Sequence, residues 1–526
     1  MMRLKVNINH YKKQATFYRK RPIKEHMKKV ILFNPQSAIA KHRIPNSILN
    51  IAASIEGRHE WVVVDGNCEN DPLQRILDYL ATGEFGYLGI TVMPGPQTKQ
   101  AIPFSKKVKE VFPGTVIIWG GYFPTSHYKV ILCSGYVDFV INGPGDHAFP
   151  RLIDALENNE PYELIKNLIY TANGDIIKNP KESLIEQDTL PPLPYDKIDR
   201  FYPIREKYLG KTYLGKKTLA YHSSIGCPFT CSFCAVVPTY EGRWKAKTAQ
   251  QVYNDVKYIK DKWGADAIEF HDNNFFVSEK RVVEFARLIK PEKMNWWGMA
   301  RIDTMDRFKD ESLSLLREAG CRIIFFGAES GNDEVLHQLD KGGTQTGEQI
   351  IRFAKRLKKF DIIPEYSFVL GTPAPTPEKV MAQIDFDIHF IKKVKAVNPR
   401  TEIVLYTYSP VPTEGSDLFE QVLAAGFRFP EKLEDWVSPE WERFDLRKNP
   451  LTPWLKPEMI DKIRNFETVL NGYYPTVSDI RLNTMKRKLM HFASGLRYRI
   501  NFYKYPYEIK LLQRLWKYRQ PEIQGF

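Results

Sequence analysis

Three cysteines within eight residues are the part of the sequence best suited to chemistry. Cys227, Cys231 and Cys234 form a Cys-x3-Cys-x2-Cys motif directly after an apolar run. Six cysteines among 526 residues are too few for a disulfide scaffold. The crowding of three of them therefore indicates metal binding.

Three thiolates on one short loop can bind three corners of a cubane iron–sulfur cluster and leave the fourth iron without a protein ligand. An open iron is a site for a substrate or cofactor. The alternatives are a structural zinc site and three unrelated core cysteines. Zinc would require a fourth ligand, and the nearby His222 lies inside the predicted strand.

The loop resembles the cluster-binding motif of the radical S-adenosylmethionine (radical SAM) superfamily. The resemblance implies that Cys227, Cys231 and Cys234 bind a [4Fe-4S] cluster whose open iron holds S-adenosylmethionine (SAM). It further implies reductive cleavage of SAM to a 5′-deoxyadenosyl radical. Phe233, which precedes the last cysteine, would contact the adenine.

Further positions match the family by motif and location, at the ends of later apolar runs. Arg301 would pair with the SAM carboxylate as a bidentate fork. The family's common Gly-Gly-Glu is absent from 269–275, and Lys341-Gly342 follows a Gly-x-Glu-Ser-Gly at 327–331. Gly371-Thr372-Pro373 resembles the loop that closes over adenine. The SAM contacts implied in this way are Phe233, His271, Asp272, Asn273, Arg301, Glu329 and Ser330.

The elements that must position these residues form a βα series. Helical patterns such as 249–262 and 281–290 separate the apolar runs. Six βα units in about 200 residues fit an incomplete barrel with its chemistry at the carboxyl ends of the strands. The predicted strands are Leu219–Ile225, Ala267–Phe270, Trp296–Ala300, Arg322–Gly327, Tyr366–Leu370 and Glu402–Tyr406.

A second βα series precedes the first. Buried-type strands separated by crossover helices predict a doubly wound parallel sheet whose ligand lies beyond the strands' carboxyl ends. Those ends are rich in small residues. The predicted strands are Val30–Phe33, Trp61–Val64, Tyr87–Thr91, Val116–Trp119 and Val137–Ile141.

A doubly wound sheet before a radical SAM barrel resembles the cobalamin-binding domain of the B12-dependent branch of that superfamily. Glycines at the strand ends would let the backbone approach a flat corrin. Tyr122 and Pro144 depart from the family's pattern, and no Asp-x-His-x-x-Gly is present in this domain to supply a histidine to cobalt. The implied cobalamin contacts are Asn34, Pro35, Met93, Gly120, Gly121, Thr125, Gly143 and Gly145.

Two other readings of the first domain are weaker. A methylthiotransferase would need three cysteines there, and the domain has Cys68 and Cys133. The Gly-x-Gly-x-x-Ala at 143–148 follows the last strand of the series, whereas a dinucleotide fingerprint follows the first.

The predicted fold class is therefore α/β. A doubly wound, flavodoxin- or Rossmann-like cobalamin-binding domain (28–160) leads through a hairpin with Asn173-Gly174 at its turn and a Pro-rich linker (161–210) to a partial (β/α)6 radical SAM barrel (211–426). A mainly helical, basic region (427–526) follows.

The net charge of +14 is concentrated at the two ends of the chain. Residues 1–30 carry ten Lys and Arg against one Glu, and 481–526 carry eleven against two. Because the rest is near neutral, we expect no nucleic-acid partner. No apolar run follows the basic start, so the prediction is a cytoplasmic protein. Basic and aromatic residues interleaved over 481–519 suit a peripheral contact with the inner membrane surface.

The function predicted by these resemblances is cobalamin-dependent radical SAM catalysis. Its most common outcome is C-methylation of an unactivated carbon, via methylcobalamin, in a small or lipid-like substrate. An electron donor such as flavodoxin or ferredoxin is implied. The alternatives are an oxidoreductase or ring-forming cyclase without net methyl transfer, and a non-catalytic cobalamin sensor. The sequence assigns no catalytic side chain.

Overall fold

The computed structural model describes residues 27–37, 43–340, 344–413, 416–441, 451–476 and 482–516. The chain divides into two compact units. Unit 1 comprises 1–207 and 430–438, and unit 2 comprises 208–429 and 439–526. The predicted domain boundaries at 160, 210 and 426 remain predictions.

Unit 1 contains a seven-stranded sheet with the order β2-β1-β3-β4-β5-β6-β7. The first five strands are parallel, and their 2-1-3-4-5 order is a common doubly wound arrangement. β1 is almost wholly buried, as expected for a central strand covered on both faces. The strands are β1 (Lys29–Asn34), β2 (Trp61–Asp65), β3 (Phe85–Thr91), β4 (Val116–Gly120), β5 (Phe139–Ile141), β6 (Leu168–Ala172) and β7 (Asp175–Lys178).

The predicted hairpin is present and belongs to this sheet. Asn173 and Gly174 both have positive φ, at 51° and 86°, as a two-residue turn of this kind requires. β6 pairs with β5 in the antiparallel sense. The helices of unit 1 are α1 (Asn46–Ile55), α2 (Pro72–Ala81), α3 (Thr98–Val111), α4 (Tyr122–Leu132), α5 (Ala148–Asn158), α6 (Tyr195–Phe201) and α7 (Ile204–Lys207).

Residues 430–438 return to unit 1 after most of unit 2 has been traversed. The ring of Trp436 lies edge-on to Phe123 at 4.8 Å and 4.5 Å from His127. Burial among these rings lowers the pKa of His127 to about 3, so this imidazole is neutral at pH 7.

Unit 2 contains a six-stranded sheet whose strands are all parallel and sequential, in the order β8-β11-β12-β13-β14-β15. Leu214, Ala267, Ile323 and Ile363 form an apolar cluster where these strands begin. A mixed α/β fold with parallel sheets is therefore confirmed. The strands are β8 (Thr218–Tyr221), β11 (Ala267–Phe270), β12 (Asn295–Ala300), β13 (Cys321–Glu329), β14 (Ile363–Leu370) and β15 (Glu402–Thr407).

The predicted single strand 219–225 is wrong, because the chain forms two strands there. β9 (Ser224–Gly226) leaves the sheet and pairs in the antiparallel sense with β10 (Trp244–Ala246). The break follows from Ser223, whose N–H donates to Asp272 Oδ1 at 2.7 Å instead of continuing a ladder.

Helices cover the sheet of unit 2 and form most of the rest of the unit. Several begin at side-chain caps, such as Thr248 and Ser278. They are α8 (Val236–Tyr240), α9 (Ala249–Trp263), α10 (Glu279–Ile289), α11 (Ile302–Met305), α12 (Asp310–Glu318), α13 (Asp333–Gln338), α14 (Gly347–Lys359), α15 (Pro377–Val397), α16 (Asp417–Ala424), α17 (Pro457–Tyr473), α18 (Thr484–Arg499) and α19 (Tyr507–Trp516). No helix in the described part of the chain has the length and apolar character needed to cross a membrane.

Candidate active site

The cysteine loop begins where β9 ends. Gly226 has φ of +75°, and a Cβ there would lie 2.1 Å from the carbonyl oxygen of Arg243, so this entry to the loop requires glycine. The loop is anchored by Ser232, whose N–H donates to Leu339 O at 3.2 Å and whose carbonyl accepts from Thr413 Oγ1 at 2.8 Å. Separate parts of unit 2 therefore fix the loop.

None of the three cysteines of the loop is in a disulfide; Cys231 is buried, and Cys227 and Cys234 are half-buried. Burial raises the pKa of the Cys227 thiol, and the Phe229 N–H, the Asn274 side chain and the Arg301 guanidinium oppose that rise. These three groups favour the thiolate, which is the form that binds a metal.

Arg301 follows β12 and lies against the loop. Its Nη1 donates to Cys231 Sγ at 3.1 Å, and its guanidinium lies 3.9 Å from the centre of the Phe229 ring. Its Nε and Nη2 donate to the two carboxylate oxygens of Asp303 at 2.9 and 2.8 Å. Arg301 therefore supports the cysteine loop and pairs with Asp303, while its predicted fork to the SAM carboxylate stays a prediction.

Asp303 was missed by the sequence reasoning. It is buried, pairs with Arg301 and also accepts a short hydrogen bond from Thr344. The available signal was the Arg-x-Asp spacing at a strand end, which permits a bidentate pair.

The residues after β11 that were predicted to contact SAM differ in burial. Asp272 has no exposed surface, and its oxygens accept from Ser223 N, Ser223 Oγ and Ser224 Oγ at 2.6–2.7 Å. These bonds hold the chain that leads into the cysteine loop. Contact of Asp272 with SAM stays a prediction.

His271 and Asn273 are both half-buried in the same segment. His271 Nε2 lies 3.3 Å from Glu269 Oε2, and its ring is 5.4 Å from the ring of Trp297. Their contacts with SAM stay predictions, as does the adenine contact of the half-buried Phe233.

Asn274, the next residue, is a second group that sequence reasoning missed. Its side chain is 1% exposed, and within the described residues neither its amide nitrogen nor its oxygen makes a regular hydrogen bond. The Asn274 side chain opposes the rise that burial causes in the pKa of Cys227.

Glu329 ends β13 with φ of +63°, a left-handed conformation that is unusual for glutamate. It is buried, and Ser367 Oγ lies 3.5 Å from its Oε2. The turn is fixed by Ser330 Oγ and Gly331 N, which donate to Asp387 of α15 at 2.9 and 2.7 Å. Ser330 has no exposed surface and shapes the Glu329 turn, while its contact with SAM stays a prediction.

The remaining radical SAM motifs are only partly described. Lys341 and Gly342 lie outside the described residues. Gly371 has φ of +79°, and its carbonyl accepts from Trp454 Nε1 at 2.9 Å. The adenine loop 371–373 therefore has a defined shape, while its contact stays a prediction.

In unit 1 the strand ends predicted to contact cobalamin are joined by Gln97, a third missed residue. Its Nε2 donates to Asn34 Oδ1 at 3.2 Å and to Pro35 O at 2.9 Å. Its Oε1 accepts from Met93 N at 2.8 Å, and the Met93 side chain stays exposed. One buried amide thus fixes the ends of β1 and β3 together.

The glycines at these strand ends differ in whether a side chain could be added. A Cβ at Gly121, where φ is +106°, would lie 2.9 Å from Val92 O, and one at Gly145 would lie 2.8 Å from Ile51 Cδ1. Both glycines therefore serve the chain's own packing. At Gly120 the nearest atom to an added Cβ is Ile141 Cβ at 3.8 Å, an ordinary van der Waals contact, so a Cβ fits there without a clash.

Gly143 and Thr125, two further residues predicted to contact cobalamin, are hydrogen-bonded to each other. Gly143, with φ of +100°, donates from its N–H to Thr125 Oγ1 at 3.1 Å. Thr125 is buried in α4. This bond fixes the loop after β5 to the helix after β4, and contact of either residue with cobalamin stays a prediction.

The donor set of the cysteine loop suits an iron–sulfur cluster better than a single ion. Among the described residues, no three His, Cys, Asp or Glu side chains are arranged to hold one metal ion. In a cubane each thiolate binds a different iron, and the three thiols of one loop provide such a set. The residues present therefore fit the cluster that the motif implies.

Comparison with protein families places a known domain over this site. Residues 221–386 match the radical SAM superfamily. The match begins at the last residue of β8 and covers the cysteine loop and the strand ends that carry Arg301 and Glu329. This segment of the chain is therefore similar to radical SAM domains.

Two curated relatives extend the match beyond that domain. An uncharacterized methyltransferase of Pyrococcus horikoshii is 27% identical over 371 residues, covering 68% of this chain and 77% of the relative. An anaerobic magnesium-protoporphyrin IX monomethyl ester cyclase of Rubrivivax gelatinosus is 28% identical over 388 residues, covering 69% of this chain and 61% of the relative.

A solved structure shows the same fold over almost the whole chain. OxsB, a cobalamin-dependent SAM radical enzyme with aqua-cobalamin and SAM bound, superposes with a TM-score of 0.65 at 14% identity. The match covers 93% of this chain and 75% of OxsB. The predicted resemblance to cobalamin-binding radical SAM proteins is confirmed.

The buried carboxyl of Asp387 predicts a pH-dependent stability. Burial raises its pKa to about 6 from an ordinary 3.8, against the opposing N–H of Gly331 and hydroxyl of Ser330. The folded chain thus holds this proton more tightly than the unfolded chain. Its contribution to the free energy of unfolding is greatest below about pH 4, falls by on the order of 2 kcal/mol as the pH rises to about 6, and is constant above.

Urea unfolding of wild type and Asp387→Asn between pH 4 and 7 measures this contribution. The decline should disappear in the variant, whose amide oxygen can still accept from Gly331. Asp385→Asn, an exposed change on the same helix, should retain the decline. Identical pH profiles for wild type and Asp387→Asn would contradict the assignment.

Proposed function

We propose that this chain is a cobalamin-dependent radical SAM enzyme, a C-methyltransferase acting on a small or lipid-like substrate. The observation that carries the proposal is the loop of Cys227, Cys231 and Cys234, which has Arg301 against Cys231 Sγ at 3.1 Å. When bound, the cluster would supply the electron that cleaves SAM to methionine and a 5′-deoxyadenosyl radical.

The chain's own residues would bind and orient these groups. Cys227, Cys231 and Cys234 would hold three irons, and the left-handed Glu329 turn would present a carboxylate to SAM at the end of β13. The six parallel strands of unit 2 would form the partial (β/α)6 barrel that positions them.

The sheet of unit 1 would be the cobalamin domain. Sheets with this 2-1-3-4-5 strand order bind their ligands beyond the carboxyl ends of the strands, which supports a cobalamin site there. The Gln97 network holds Asn34, Pro35 and Met93 at those ends, and a Cβ at Gly120 would fit without a clash. A flat corrin would lie at those ends.

Methyl transfer and oxidation without methyl transfer remain distinct outcomes. One matched relative is named a methyltransferase and another a ring-forming cyclase. We favour methylation because the methyltransferase match covers more of the relative's length, 77% against 61%. A cobalamin sensor without catalysis is the second alternative, which the complete cysteine set disfavours.

Partners follow from the same chemistry. Reductive SAM cleavage requires a one-electron donor, for which a flavodoxin or ferredoxin would serve. We place the protein in the cytoplasm, with peripheral contact to the inner membrane surface through its basic carboxyl-terminal region. Nucleic acid is not among the proposed partners, because the body of the chain is near neutral.

Product analysis of the anaerobically reconstituted protein tests the proposed class. With SAM, dithionite and cobalamin, wild type should release 5′-deoxyadenosine even before its substrate is known. Replacing Cys227, Cys231 and Cys234 together by Ala should abolish both iron binding and release of this product. Cys133→Ala, which changes an exposed thiol in unit 1, is the matched control and should retain both.

The product pattern also separates the alternatives. In the presence of substrate, 5′-deoxyadenosine with S-adenosylhomocysteine indicates methylation, and 5′-deoxyadenosine alone indicates oxidation or cyclisation. Neither product from an iron-loaded protein would support the sensor and overturn the enzyme assignment.

Gly120→Val predicts a selective loss of cobalamin binding. A Cβ fits at the end of β4 without a clash, so the free energy of unfolding should change by less than about 0.5 kcal/mol. Isothermal titration with hydroxocobalamin should show affinity at least tenfold lower, since bulk replaces the space for the corrin. Gly114→Val, where a Cβ also fits but at the start of β4, should bind as wild type does. Equal affinity of all three proteins would contradict the corrin position.

A further inference from the structure

The carboxyl-terminal helices of unit 2 pack through one face only. α18 buries Met490, Ser494 and Tyr498, spaced four residues apart. Tyr498 stacks on Tyr473 of α17 at 4.4 Å between ring centres. This face already satisfies the apolar packing that a surface helix of a globular protein needs.

The opposite face of α18 is also apolar. Spacings of three and four residues place five exposed side chains on one side of the helix. Phe492 is 82% exposed and Leu496 is 70% exposed. We call this set the outer stripe; its members are Met485, Leu489, Phe492, Leu496 and Ile500.

α19 repeats the pattern. Tyr507, Leu511 and Leu515 are four residues apart and each more than half exposed, while Ile509 is buried. Exposed apolar groups arranged contiguously are unusual on soluble proteins and mark interaction surfaces.

Cationic side chains border the outer stripe on both sides. At about 100° per residue, Lys488 and Arg499 fall along one border and Lys486 along the other. Within 484–516 the acidic complement is Glu508, which pairs with Arg497. Lys and Arg can extend their charges to lipid headgroups while their stems lie on apolar surface.

We infer that the outer stripe inserts into the interface of an anionic lipid bilayer, with its bordering Lys and Arg on the lipid phosphates. Charge complementarity selects this occupant. Docking of the same face on a second copy would bring the two sets of cations together, which is unfavourable. This inference names the membrane surface for the peripheral contact proposed above and is independent of the cofactor chemistry.

Vesicle flotation of the full chain tests the inference. Binding should be strong on phosphatidylcholine vesicles containing phosphatidylglycerol, weaker on pure phosphatidylcholine, and reduced by salt. Phe492→Ser with Leu496→Ser should lower the partition coefficient about tenfold or more, since two large apolar groups no longer insert. The control is Leu164→Ser, which changes an exposed leucine in unit 1 and should bind as wild type does.

Other outcomes overturn the inference. Wild type that stays in the soluble fraction with both vesicle types excludes this membrane contact. Sedimentation showing a dimer that Phe492→Ser with Leu496→Ser dissociates, without vesicle binding, assigns the stripe to a second copy instead. Equal partition of variant and wild type places the membrane contact elsewhere on the chain.

Discussion

The buried pair of Arg301 and Asp303 is the interaction on which the cysteine loop depends. A guanidinium out of water is costly unless its donors are satisfied, and removal of one partner leaves the other unpaired. Asp303 accepts from two of its nitrogens, which directs the third at Cys231 Sγ. The ion pair thus fixes the position of the Arg301 guanidinium against the cysteine loop. The proposed cluster would bind next to this fixed positive charge.

The sequence predicted the parallel strands well because their apolar runs are short and bounded by small residues. Ala267–Phe270 has the predicted bounds, and the hairpin turn at Asn173-Gly174 was identified by its residues alone. The break between β8 and β9 was not predictable, since it depends on Asp272, a residue about fifty positions away that captures Ser223.

In the candidate site, too, the motif residues could be predicted from the sequence, whereas the residues that hold them in place could not. The cysteines follow from local spacing, whereas Asp303, Asn274 and Gln97 matter only through contacts that the fold creates. Polar residues of these types are common, so their spacing carries little information. Two neighbouring glycines at the end of β4 also differ in a way that the sequence does not show. A side chain at Gly121 would clash with the chain's own backbone, whereas a Cβ at Gly120 would fit.

The hairpin of unit 1 has a consequence for how the chain avoids misassembly. Parallel sheets pair distant segments and form slowly, so an open edge strand can recruit another molecule. β6 covers the short apolar β5, and the outermost strand, β7, carries Asp175 and Lys178 exposed at its two ends. Charge at that border discourages intermolecular strand addition, which protects a nascent protein during synthesis.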